Sequence, residues 1–380
     1  MTINYLITVI SFGLMLFLNY ILNTNISLSL FIVSAAAVLI ILLKKQILSG
    51  LKFFILLIGL LLIIFLSTSF SREDLSVSLR GELVNEGMKF ITHTVNRFSS
   101  QSLVELRLKY TDQDYNYNDW QPPADYENIK INLSQSEAYL LQKRNEKQQK
   151  VVYQLHGGAY ITSFSEHYND IALKYSEIYD QSAVFSLDYR TAPKYEHPAA
   201  LKDALEGYKY LLDAGYQPEN IILAGDSAGG GLALALSLKL RDQDRPLPKA
   251  LVLASPWTDL AAAGKSYQAK IEADALFGYA EAEHAPKYPV PIIYAGEYNL
   301  KDPYLSPAYA DFGGLPPILI QTGSEEILLS DSRIIARKAE QAGVEVELIE
   351  YPGMYHIFYV FTPSIPESKK AWQEIEEFID

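Results

Sequence analysis

Three uncharged stretches open the chain, at residues 5–22, 26–43 and 53–70, each 18 residues long and built mostly of Leu, Ile, Phe and small side chains. Eighteen consecutive apolar residues are enough to cross a bilayer. Residues 1–43 carry no charge, and as one helix they would reach about 64 Å, roughly twice the hydrocarbon thickness. The run must therefore fold back, and the polar cluster Asn19, Asn23, Thr24 and Asn25 is the natural turn. Backbone groups in lipid need internal partners, so three transmembrane helices are predicted over residues 1–70. A cleaved signal peptide would need an early positive charge, and the first is Lys44. The basic loop holding Lys44, Lys45 and Lys52 predicts a cytoplasmic connection between spans two and three. That places the remainder of a multi-pass cell-membrane protein on the extracytoplasmic side.

After this point the pattern changes. Residues 71–80 are polar and read as a linker, 83–98 have apolar positions at helical spacing, and 111–128 are polar, aromatic and irregular. From 129 on, short apolar runs alternate with amphipathic ones. Strands are predicted at 129–133, 138–142, 151–155, 183–187, 220–225, 250–254, 317–322 and 344–350. Helices are predicted at 166–180, 199–214, 227–240, 330–342 and 367–380. Strands alternating with helices mean an α/β fold with a mostly parallel, eight-stranded sheet covered on both faces. Residues 260–300 break the alternation with Gly264, Gly278, Pro286, Pro289, Pro291 and several aromatics, and read as a cap insertion. The expected organisation is a membrane anchor at 1–70, a linker and N-terminal cap at 71–127, and a catalytic domain at 128–380.

Charge sharpens this division. The first 70 residues carry +3, whereas the whole chain is −13, so residues 71–380 hold −16. An acidic body of this kind argues against nucleic acid as a partner, because phosphate contacts need clustered Lys and Arg. The chain has no Cys, which removes disulfides, thiolate metal sites and a cysteine nucleophile. No metal-ligand cluster or phosphate-binding glycine loop is apparent, and no cofactor is expected.

Two motifs carry chemistry. Gly225-Asp226-Ser227-Ala228-Gly229 lies between a predicted strand and a predicted helix, the context of a nucleophile elbow. Small neighbours allow a sharp turn that lifts the Ser227 hydroxyl above the sheet edge. His156-Gly157-Gly158-Ala159-Tyr160 directly follows another predicted strand, and its glycines let backbone N–H groups face a developing oxyanion. The Ala228 N–H is the matching donor. His156 is read as orienting this loop, with Asp226 as a second support. A serine needs a base, and the chain order Ser, acid, His leaves His284, in the insertion, and His356, after the last predicted strand. A carboxylate must then hold the imidazole. On chemistry alone Glu325, Glu326 and Asp331 all qualify.

Together these segments resemble the hormone-sensitive lipase-like branch of the α/β-hydrolase esterases. The resemblance spans about residues 128–380. It rests on the motifs at 156–160, 225–229 and 351–356, and on Asp188-Tyr189-Arg190-Thr191-Ala192-Pro193, Ser255-Pro256-Trp257 and Asp302-Pro303-Tyr304-Leu305-Ser306-Pro307. It implies Ser227 as nucleophile, His356 as base, and Gly157, Gly158 and Ala228 as oxyanion donors. Laid onto the family's acid-bearing segment, the acid position falls on Glu326, where the family usually has Asp. Ala159 stands where many members have a third glycine. The expected function is a membrane-anchored serine carboxylesterase acting on short- to medium-chain acyl esters, small-molecule substrates. Two alternatives stand beside it. One is an acyltransferase or deacetylase of cell-surface glycans or lipids using the same residues. The other is a non-catalytic ligand-binding homologue.

Overall fold

The computed structural model describes residues 77–98, 119–146 and 148–380. The three predicted spans lie outside these residues. Among the described residues, no helix is long and apolar enough to cross a membrane. The chain divides into two units, Met1–Ile91 and Thr92–Asp380. The described part of the first is the beginning of helix α1, Leu79–Phe98. Ser78 Oγ accepts the Gly81 N–H at 3.0 Å, and Glu82 in the first turn complements the helix dipole. The predicted helix at 83–98 thus begins a turn earlier, at its serine cap.

The second unit is built on eight strands: β1 Tyr126–Asn132, β2 Glu137–Lys143, β3 Val151–Leu155, β4 Ala183–Asp188, β5 Ile221–Asp226, β6 Ala250–Ala254, β7 Ile318–Gly323 and β8 Val346–Tyr351. They form one sheet in the order β1-β2-β4-β3-β5-β6-β7-β8. The first two ladders, β1 to β2 and β2 to β4, are antiparallel, and the remaining five are parallel. Every residue of β3, β5, β6 and β7 is buried, as expected for strands covered on both faces. The covering helices are α2 His167–Ile178, α3 Ala199–Asp213, α4 Ala228–Asp242, α6 Leu329–Gln341 and α8 Pro366–Ile379, with short helices α5 Ser266–Ala269 and α7 Phe358–Phe361 between them.

Strand β1 starts at Tyr126, earlier than the pattern predicts. The buried Tyr126 hydroxyl donates to Gln181 at 3.0 Å, and its backbone pairs with Lys143. This long-range anchoring recruits residues whose local sequence looks irregular. The segment at 260–300 contains α5 and 3₁₀ turns at Ala282–His284 and Ile293–Ala295, and no strand.

Register decides where the chemistry falls. Gly225 pairs with Leu155 on one side and Leu253 on the other. Gly323 pairs with Tyr351. These strands are parallel, so the loops after β3, β5, β6, β7 and β8 all emerge at the same carboxyl edge. That edge is where open α/β sheets bind ligands.

Candidate active site

Ser227 sits between the last residue of β5 and the first of α4, with φ 52° and ψ −119°. A non-glycine residue in this region costs about 1–3 kcal/mol, and the surroundings must hold it there. They do so through backbone bonds: Ser227 N–H donates to Ala254 O at 2.8 Å, and Ser227 O accepts from Trp257 N–H at 2.8 Å and Gly231 N–H at 3.1 Å. Glycine is required at 229, because a Cβ there would run into the carbonyl oxygens of Leu155 and His156. The small residues of the elbow thus let α4 start against the end of β3.

The loop after β3 differs from expectation in one respect. The Gly157 N–H, expected among the oxyanion donors, is already engaged. It donates to Tyr168 Oη at 2.7 Å and to Asp226 Oδ1 at 3.1 Å. Tyr168 Oη in turn donates to Asp226 Oδ2 at 3.0 Å. Gly157 is therefore the anchor of the loop, tied to the elbow through Asp226. The next residues, Gly158, Ala159 and Tyr160, all have positive φ, at 109°, 55° and 60°. This left-handed run turns the chain sharply away from the end of β3. The N–H groups of Gly158 and Ala159 have no acceptor among the described residues. Ala228, as the first helical residue, has no intrahelical acceptor either. The open donors are thus Gly158, Ala159 and Ala228. Alanine at 159 costs nothing in donor chemistry, because the donor is main chain.

His156 lies flat on Tyr189, with ring centres 4.0 Å apart and planes 3° from parallel. Its Nδ1 bonds Gly157 O at 2.8 Å, and Tyr189 Oη donates to His156 O at 2.7 Å. Burial pushes its pKa down to about 4, so at neutral pH it is an uncharged brace of the loop. Sequence reasoning missed Tyr168 and gave Tyr189, within the 188–193 motif, no role of its own, because both roles depend on the register of α2 and β4 against β3.

Asp226 is also buried, and burial pushes its carboxyl up to about 6, opposed chiefly by the Tyr168 hydrogen bond and the charge of His356. A carboxyl with a folded pKa above its unfolded value holds its proton more tightly in the native state. Its contribution to stability is complete below about pH 4 and is lost as pH rises through about 6. Asp226→Asn removes that slope while keeping an oxygen for Gly157. We expect wild type to lose stability relative to this variant between pH 4 and 7, by roughly 2–3 kcal/mol. Denaturation midpoints measured across that range check this, and parallel pH curves would refute it.

On the other side of Ser227, the loops after β7 and β8 meet. His356 Nδ1 lies 2.5 Å from Glu326 Oε2, and both side chains are almost completely buried. The opposite oxygen, Glu326 Oε1, accepts Ser255 Oγ at 2.9 Å, Gly323 N–H at 2.8 Å and the Thr322 hydroxyl. Ser255 Oγ also accepts the Ile357 N–H at 3.1 Å, so one serine links the glutamate to the residue after His356. With Nδ1–H committed to the carboxylate, Nε2 is the acceptor nitrogen. It is buried and has no partner among the described residues. The Phe277 ring packs 5.1 Å from the imidazole.

The other two carboxylates are employed elsewhere. Glu325 pairs with Lys270 at 3.2 Å. Asp331 is buried and accepts the Thr258 and Asp259 N–H groups, each at 2.8 Å. Burial, then the neighbouring Asp259 charge, raise its pKa. His284 is exposed on the insertion beside Glu281 and Glu283, the only grouping with metal-ligand spacing among the described residues. Further along the insertion, Tyr294 stacks on Tyr160 at 4.3 Å, tying it to the oxyanion loop.

This geometry agrees with what the chain resembles elsewhere. Residues 151–360 match a family model described as the alpha/beta hydrolase fold. An esterase of the bacterial hormone-sensitive lipase family, known by crystal structure, is 30% identical, with a TM-score of 0.65 covering 78% of this chain and 96% of that one. The chain belongs to the hormone-sensitive lipase-like α/β-hydrolases. An acetyl-hydrolase of Streptomyces hygroscopicus is 36% identical over 225 residues, 59% of this chain and 73% of that protein. A carboxylesterase/phospholipase, LipF, of Mycobacterium tuberculosis is 33% identical over 268 residues, 68% of this chain and 70% of that protein. The protein is a carboxylic ester hydrolase.

Proposed function

We propose that this hydrolase is a membrane-anchored serine carboxylesterase acting on short- to medium-chain acyl esters through Ser227, His356 and Glu326. The observation that carries the reading is the buried Glu326–His356 pair, with its imidazole Nε2 unengaged at the sheet edge where Ser227 is held strained in its elbow. In the first half-reaction Ser227 Oγ attacks the ester carbonyl while its proton passes to His356 Nε2. Glu326 holds the imidazole in the productive tautomer and offsets the imidazolium charge. The carbonyl oxygen becomes an oxyanion bound by the N–H groups of Gly158, Ala159 and Ala228. His356 returns the proton to the departing alcohol, leaving an acyl-serine. Water then attacks, with His356 again taking the proton, and Ser227 is regenerated with release of the acid.

Membrane anchoring rests on the sequence of residues 1–70, whose three uncharged stretches each have spanning length. The basic loop between the second and third stretches favours a body outside the cytoplasm.

A p-nitrophenyl ester series from acetate to palmitate, assayed on the full-length chain in detergent-solubilised membranes, tests the substrate class. Hydrolysis should be greatest between acetate and octanoate and fall steeply beyond. A maximum at palmitate would replace the esterase reading with a lipase one.

A further inference from the structure

One buried carboxylate of the insertion has no part in the chemistry described above. Asp274 has no exposed surface, and both its oxygens are spent on backbone. Oδ1 accepts the N–H groups of Leu276 at 2.7 Å and Phe277 at 2.8 Å, and Oδ2 accepts that of Ile327 at 2.7 Å. Ile327 directly follows Glu326, and Phe277 is the residue whose ring rests on His356. A single side chain therefore joins the loop packed on the imidazole to the loop that carries its carboxylate partner. The same insertion loop is held by its carbonyls as well. Thr92 Oγ1 donates to Ala275 O at 2.6 Å, and Asn96 Nδ2 donates to Gly278 O at 2.7 Å.

A charged group is a costly way to close a turn in a dry place, because burial penalises the charge. Burial does push the Asp274 carboxyl up, while its N–H partners and the charge of His356 pull it back. Beside an imidazole that becomes positive during turnover, a second negative charge has a use that an amide would not. Among the described residues, Glu326 is in direct contact with His356, and Asp226 and Asp274 both feel its charge; Phe277 covers it with an apolar face.

We infer that Asp274 is a positioning residue for ester hydrolysis, holding Phe277 against His356, keeping the Glu326 loop in register, and adding its charge to the field that stabilises the imidazolium. This rests on His356 being the base. The test is kcat and KM against pH for the full-length chain with p-nitrophenyl butyrate, comparing wild type, Ser227→Ala and Asp274→Asn. Loss of the negative charge weakens the hold of His356 on its proton, so the acid limb of kcat/KM moves to lower pH, by about half a unit or more. kcat falls by about tenfold, whereas KM stays within about threefold, because the residue acts through the base and not on the substrate. A purely structural carboxylate would not move the acid limb. Wild-type hydrolysis that vanishes in Ser227→Ala keeps the proposed mechanism. An Asp274→Asn enzyme with wild-type kcat and acid limb would then overturn this inference alone. Should Asp274→Asn fail to fold, Phe277→Leu leaves the backbone bonds intact. It lets water reach the imidazole, so kcat falls severalfold and the acid limb moves up. An unchanged kcat and profile in that variant would equally overturn the inference.

Discussion

Ser227→Ala is expected to abolish turnover, lowering kcat by about 10⁵-fold. The substitution removes the only group at the elbow that can form the acyl intermediate. What remains is substrate binding and the three main-chain donors, which by themselves give slow hydrolysis by water. The loss should be purely chemical. Ser227 Oγ makes no hydrogen bond among the described residues, so the fold gives up none. Alanine also keeps the Cβ, and with it the strained backbone at φ 52°. The thermal midpoint should therefore stay within about 2 °C of wild type, a shift corresponding to roughly 1 kcal/mol. Purified full-length protein, assayed with p-nitrophenyl butyrate and melted in parallel, reads both quantities. Hydrolysis retained in a folded Ser227→Ala protein would reject the proposed mechanism.

Glu326→Gln should come next in size, costing about 10³–10⁴-fold in kcat. Glutamine has one oxygen for the two roles that the carboxylate fills. If that oxygen serves Ser255, Thr322 and Gly323, the amide NH₂ faces His356 Nδ1. The imidazole must then carry its proton on Nε2, where it cannot accept one from Ser227. If the amide turns over, His356 keeps its partner but the NH₂ faces the Gly323 N–H, which loses its acceptor at about 1–3 kcal/mol, and the Ser255 and Thr322 hydroxyls must turn from donating to accepting. Activity or stability must suffer. Asp331→Asn contrasts with this. An asparagine oxygen can keep the Thr258 and Asp259 N–H groups, and the change takes a buried carboxyl, whose ionised form burial penalises, away from Asp259. A carboxyl with a raised folded pKa favours the native state below its unfolded pKa and loses that contribution as pH rises. At neutral pH the substitution should leave stability equal or improved, with kcat within about threefold of wild type. A larger loss of kcat with Asp331→Asn than with Glu326→Gln would reassign the acid.

Glutamate in place of aspartate at this position has a structural counterpart. The longer side chain reaches His356 from a loop whose root is pinned to β7, since Oε1 folds back onto Thr322 and Gly323 of that strand. Ser255, at the end of β6, completes the grip and passes it on to Ile357. Glu326, His356 and the strand ends thus form one bonded unit, and Asp274 fastens the insertion to it.

Much of this protein was determined by sequence alone, because the information is local. The eight strands and their covering helices follow from runs of apolar residues with distinct periods, and the elbow and the loop after β3 follow from small residues that a sharp turn demands. His356 is legible through its place after the last strand. The tertiary structure decided matters in which residues distant along the chain compete for one atom. Glu325, Glu326 and Asp331 are equivalent as carboxylates within seven positions of each other, and only the pairing of β7 with β8 brings Glu326 to the imidazole while Lys270 and the Thr258–Asp259 backbone take the others. The Gly157 N–H looks like any loop donor until Tyr168 and Asp226 arrive to accept it. Asp274 gives no periodic signal, since its three partners are backbone groups, two nearby and one 53 residues away. A hydrogen bond is chosen by distance in space, and sequence separation carries no record of it.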